Sequence, residues 1–151
     1  MFHSRKLNTR INKLHERALR LAYNDYCSSF EELLERDRTV TIHVRNLRIL
    51  AIEMYKVKHS LAPQFICDLF PLRDATFNLR NKPVYKTPHV NTVNYGTESL
   101  RYLGPKIWSM IPCEIKSCSS LEAFKKKIKS WIPASCPCRL CKTYVNGVGF
   151  L

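Results

Sequence analysis

The chain has 151 residues, 45% of them hydrophobic and 11% aromatic, which suits one folded domain and excludes a wholly disordered chain. It carries 25 Lys+Arg against 12 Asp+Glu, a formal net charge of +13, and positive charge on that scale repels itself unless RNA, DNA or an anionic membrane surface screens it. No run reaches the length of a membrane span, and Met1 to Arg10 are polar and basic without the apolar centre of a secretory leader.

The expected location is therefore intracellular, cytoplasmic or nuclear. The seven cysteines are then expected as thiols or metal ligands, not disulfides. The charge is uneven. Residues 1–26 hold six Lys/Arg and two acids, net +4; residues 27–80 hold eight and seven, net +1; residues 81–151 hold eleven and three, net +8. The middle resembles an ordinary protein body, and the two ends resemble contact surfaces. A soluble basic protein with no specific anion is the plainer reading of the same numbers.

In chain order, residues 4–26 are expected to form an amphipathic helix. Leu7, Ile11, Leu14, Ala18 and Leu21 recur at spacings of four, three, four and three, an apolar stripe with Lys6, Arg10, Lys13, Arg17 and Arg20 off it. That helix can dock by its stripe while its bases meet phosphate, or can be a core helix with a solvated face. A short helix is expected at 29–36, with Ser29 and Glu32 at capping-box spacing and Phe30, Leu33 and Leu34 on its buried side. A longer one is expected at 41–61, where Val44, Leu47, Leu50, Ala51, Met54 and Leu61 keep the helical period and Pro63 closes it. Pro63 can also open a helix from Gln64 to Phe70, stopped by Pro71.

Between 72 and 103 helical periodicity disappears, and an extended segment is expected, with short strands near Val84–Tyr85 and Val90–Tyr95. A short helix carrying Trp108 follows at Tyr102 to Ile111. The last helix is expected at 119–132, opened by Ser119 and Glu122 and closed by Pro133. Leu121, Phe124, Ile128 and Trp131 or Ile132 make its apolar face, and Lys125, Lys126, Lys127 and Lys129 a basic belt. The expected fold is mainly α: a helical bundle over 1–71, an irregular segment over 72–101, Trp-bearing and Lys-rich helices over 102–133, and a Cys-rich tail over 134–151.

The tail contains Cys136, Cys138 and Cys141. Cys-x-x-Cys is the usual spacing for two thiolates on one Zn²⁺, and Cys136 adds a third donor. A structural zinc takes four ligands, and no His or Cys follows Cys141, so the fourth would come from Cys118, Cys113, His89 or a partner; reduced free cysteines are the alternative. Around the cluster, Lys125, Lys126, Lys127, Lys129, Arg139 and Lys142 can neutralise phosphate, with Tyr144 available to stack on a base. A solvated lysine helix with a core tyrosine is the alternative there.

Catalytic constellations are missing. No phosphate-binding glycine loop, dinucleotide fingerprint, nucleophile elbow or adjacent aspartate pair occurs. The histidines at 3, 15, 43, 59 and 89 are dispersed, and His15 and His43 are expected as surface or satisfied helix residues. Trp108 and Trp131 are expected as core anchors. No small-molecule substrate is implied.

An ordered set of short runs carries a resemblance. Leu14-His-Glu-Arg-Ala-Leu-Arg20, Tyr23-Asn-Asp25 and Ser28-Ser-Phe-Glu-Glu-Leu-Leu34 come first. Ile42-His-Val-Arg-Asn46, Glu53-Met-Tyr-Lys56, Asn78-Leu-Arg80 and Tyr95-Gly-Thr-Glu-Ser99 follow. Gly104-Pro-Lys-Ile-Trp108, Phe124-Lys-Lys-Lys-Ile128, Cys136-Pro-Cys-Arg-Leu-Cys-Lys142 and Gly149-Phe-Leu151 complete the set. Together they resemble the region downstream of the polymerase domain in non-LTR (LINE-like, jockey-like) retrotransposon reverse transcriptases. The resemblance implies that Met1 is an internal methionine serving as a start and Leu151 a natural C-terminus. The family's catalytic aspartates and endonuclease have no counterpart here, so no enzymatic activity carries over.

What the resemblance implies is an accessory role, gripping element RNA or target DNA beside the rest of the reverse transcriptase. Cysteine-rich tails of related elements look like zinc knuckles, whereas Cys136, Cys138 and Cys141 lack a fourth in-line ligand. Two other functions remain open: an inactive translated remnant, and a helical protein-interaction module that uses the 4–26 stripe.

Overall fold

The structure is a computed structural model and describes residues 5–73, 85–92, 96 and 99–133. Its described part is mainly helical, as expected. Seven helices run in order: α1 (Arg5–Tyr23), α2 (Phe30–Arg36), α3 (Ile42–Lys58), α4 (Gln64–Cys67), α5 (Leu100–Met110), α6 (Cys113–Lys116) and α7 (Leu121–Ile128). Two compact units form, Met1–Leu47 and Arg48–Leu151, and the division falls inside α3. The sequence alone placed its first boundary at residue 71.

In the first unit α1 packs on α2 through a small core of Leu19, Leu33 and Leu34, edged by Tyr23 and Phe30. The turn between them is built around Asp25. One of its oxygens accepts the Cys27 and Ser28 amides at 3.1 and 3.0 Å, and the other accepts the Ser28 hydroxyl at 2.7 Å. These bonds, the Ser28 amide first, hold the Asp25 carboxyl below its ordinary pKa. The Ser29–Glu32 capping box then opens α2, with both reciprocal bonds made. Across the turn the Tyr23 hydroxyl donates to Asp37 at 2.8 Å, and Arg36 lies 4.8 Å from the Tyr23 ring centre.

α1, α2 and α3 all end in the same way without a glycine. Asn24, Arg38 and Ser60 take left-handed conformations with φ of 49°, 54° and 54°. The residue after each donates back across the last turn: Asp25 to Arg20, Thr39 to Leu34 and Leu61 to Lys56. This closure satisfies carbonyls that the helix leaves open. It also stops α3 at Lys58, so Leu61, expected inside the helix, is exposed.

The second unit has an aromatic core. Tyr55 stacks on Phe124 with ring centres 4.3 Å apart, and Trp108 lies 6.2 Å from the same Phe124. The buried Tyr55 hydroxyl donates to the Cys118 carbonyl at 2.7 Å, and Arg48 Nε donates to the Trp131 carbonyl at 2.9 Å. Both tryptophans are buried, as expected of core anchors. In α5, Gly104 sits where a Cβ would meet Met54 Sδ at 2.7 Å and Phe70 Cε1 at 2.9 Å. The glycine lets α5 approach both residues, and Pro105 beside it is buried within the helix.

Expected and observed elements differ elsewhere too: α4 ends at Cys67, where the helix was expected to reach Phe70. Tyr85 forms an isolated antiparallel bridge to Leu72, and residues 90–92 hold no strand; Val84 and residues 93–95, the rest of the two expected strands, lie outside the described residues. Tyr85 packs edge-on against Phe70, and burial pushes its hydroxyl up to about 12. α6 was not foreseen; it is one turn long and follows Pro112. α7 is capped by Ser120, not Ser119, because the Ser120 hydroxyl accepts the Ala123 amide. α7 stops at Ile128, which leaves Trp131 buried beyond the helix and Ile132 exposed.

Candidate nucleic-acid interface

The lysine belt is the part of the expected site that the described residues contain. Phe124 and Ile128 anchor α7 in the core, and this turns Lys126 and Lys127 outward. Lys129, the C-cap residue, is also exposed. Lys125 is half-buried and lies 2.7 Å from the Glu122 carboxylate. That pair is an exposed i, i+3 contact, worth little against water and salt. The Lys127 ammonium donates to the Glu114 carbonyl at 3.4 Å, which draws it toward α6.

The fold adds two cations that sequence order keeps far apart. Lys58 Nζ lies 5.6 Å and Lys116 Nζ 5.7 Å from the centre of the Trp108 ring. Both distances fall within the reach of a cation–π attraction. Burial lowers the pKa of Lys116; the Cys113 thiol acts in the opposite direction, and the positive charge of Lys58 lowers it further. Two ammonium groups that feel each other at a half-covered surface are a place where an anion lowers the energy. Among the described residues, none of Lys58, Lys116, Lys126, Lys127 and Lys129 is paired with a carboxylate. The ends of α3, α6 and α7 thus present Lys58, Lys116 and Lys127 around Trp108 and Glu114. Neither of the first two is singled out by the sequence: Lys58 is one base of a long helix, and Lys116 falls in α6, which was not foreseen.

The remaining site residues fall elsewhere. Cys136, Cys138, Cys141, Arg139, Lys142 and Tyr144 lie outside the described residues. Of the three expected fourth ligands, Cys118 is buried, whereas Cys113 and His89 are exposed. Among the described residues no group of three or more metal-binding side chains comes together. His43 is buried and not at the surface. His15 is half-buried, with its ring edge-on to Phe30 at 5.7 Å. No described helix is long and apolar enough to cross a membrane. No protein-family model, curated protein or solved structure matches this chain.

Proposed function

We propose that the chain is a nucleic-acid-binding accessory segment, of the kind its resemblance to non-LTR reverse transcriptases implies, without polymerase chemistry of its own. The observation that supports this reading is the convergence of Lys58, Lys116 and Lys127 from three helices, without carboxylate partners among the described residues. A phosphate backbone placed there would take up charge that now repels itself, and would release counterions as it bound. Lys126 and Lys129 would extend the contact along α7. Cys136, Cys138 and Cys141 would order the basic tail on Zn²⁺ with a ligand from elsewhere.

The test is affinity for a structured RNA and for duplex DNA across a salt series, with zinc present and then chelated. Log affinity should fall linearly with log salt, with a slope of about 0.7–0.9 per phosphate contacted. Replacing Lys58, Lys116 and Lys127 with Gln should reduce that slope by about two to three contacts' worth. Weaker binding on chelation would support the zinc-ordered tail, and chelator-insensitive binding would remove zinc from the proposal. No binding at low salt, or a slope untouched by the triple substitution, would overturn the lysine cluster as the contact.

A further inference from the structure

The stripe of α1 lies outside the nucleic-acid reading and is largely exposed. Leu7, Leu14 and Leu21 are 46%, 64% and 71% exposed, and Ala18 between them is exposed as well. The face of α1 that turns inward is a different one, made by Asn8, Asn12, His15, Leu19 and Tyr23, roughly a third of a turn away at about 100° per residue. On the opposite flank of the stripe, Arg10, Lys13 and Arg17 form an exposed basic row. Glu16, the one acid of the helix, is held by Arg20 at 2.8 Å. The protein therefore offers a narrow apolar column with cations along its open side.

We propose that this column docks an amphipathic helix of another protein, one with its own leucine or isoleucine column and an acidic flank. The four, three, four, three spacing is the repeat that keeps one helix facing another, with leucines at one core position and Ile11 and Ala18 at the other. Leu14, Ala18 and Leu21 carry the argument, because exposed knobs at this repeat need the holes of a second helix. A nucleic acid would satisfy the basic row but leave the leucines in water. A bilayer would favour a broad apolar arc, and this column is narrow, with a small alanine in it.

A second copy of the chain is disfavoured by charge. Parallel pairing sets Arg10 and Arg17 opposite His15 and Ala22 of the other copy, and antiparallel pairing sets arginine against arginine. Neither arrangement supplies a carboxylate. An acidic helix does, and the charges would choose partner and orientation. The column is about 21 Å long at 1.5 Å per residue, or two heptads, so the contact is a modest one.

The test uses the whole 151-residue chain and a labelled synthetic helix with Ile and Leu in the two core positions and Glu on both flanks. Such a helix repels itself at neutral pH. Fluorescence anisotropy should show saturable binding at least about tenfold tighter than to a scrambled peptide of the same composition or to one with Lys flanks. Leu14→Ser should weaken binding by about tenfold or more, with the thermal melt and the RNA salt slope unchanged. Arg10→Glu with Arg17→Glu should turn the preference toward the Lys-flanked peptide. Equal affinity for ordered and scrambled peptides would overturn the proposal. So would chain dimers in sedimentation that Leu14→Ser dissociates. A Leu14→Ser variant that loses binding to phosphatidylserine vesicles while keeping the peptide would overturn it in favour of a bilayer.

Discussion

The longest helix of the first unit and the helices of the second place their periodic apolar residues differently. In Arg48–Leu151 the residues at the helical period point inward: Leu50, Ala51 and Met54 of α3, Leu103 and Ile107 of α5, and Phe124 and Ile128 of α7 are all buried. In Met1–Leu47 the longest and most regular apolar column, that of α1, is largely exposed, and a mixed face carrying Asn8, Leu19 and Tyr23 turns in. The second unit buries the periodic residues of α3, α5 and α7, although Phe65, Leu72 and Ile132 outside that pattern stay exposed, whereas the first leaves the α1 column uncovered. Periodicity identifies which residues will be covered together, but it does not say whether the cover is the same chain.

The contrast can be broken by substitution. The largest effect should come from Phe124→Ala, which removes the ring between Tyr55 and Trp108 and should cost about 3–5 kcal/mol, measured as a lower urea midpoint with loss of near-ultraviolet aromatic signal. Next is a matched pair in α1. Leu19→Ala should cost about 2–3 kcal/mol, and Leu14→Ala, on the exposed column, should stay within about 0.5 kcal/mol. Equal costs at the two positions would mean that the column is core after all.

Gly104→Ala should cost about 1–3 kcal/mol, because its Cβ would meet Met54 and Phe70 inside contact distance. A Met54→Ala background should relieve part of that cost. Arg38→Gly should stabilise the first unit by about 1 kcal/mol, since a left-handed residue without a Cβ escapes the steric penalty. The smallest effect is a pH dependence. The carboxyl of Asp25 is held below the ordinary 3.8, so its contribution is complete above that pH and is lost as pH falls through the lower folded value. Asp25→Asn should flatten this acid limb in a thermal melt measured from pH 5 downward.

Much of the local structure was legible in the sequence. The Ser29–Glu32 spacing gave a cap because both bonds close within four residues, and Pro63 marks the start of a short helix because its fixed φ suits that position, whereas α6 after Pro112 was not foreseen. Less legible were endings that lack a glycine. Arg38 and Ser60 carry no sequence mark of the left-handed conformation, so Leu61 was assigned to a helix that had already closed. In the site, the α7 lysines could be found from their clustering. Lys58 and Lys116 could not, because what joins them is a shared tryptophan ring.

By itself the sequence determined the mainly helical class, the positive charge and its concentration toward the ends, and the four, three, four, three column of α1. These depend on local periodicity and on charge counting, which act between near neighbours or over the whole chain. Only the tertiary structure decided which face of α1 is inward, which lysines stand together around Trp108, and why Gly104 is a glycine. Each of these depends on contacts between residues distant in sequence, where close packing selects one arrangement among many that the pattern allows.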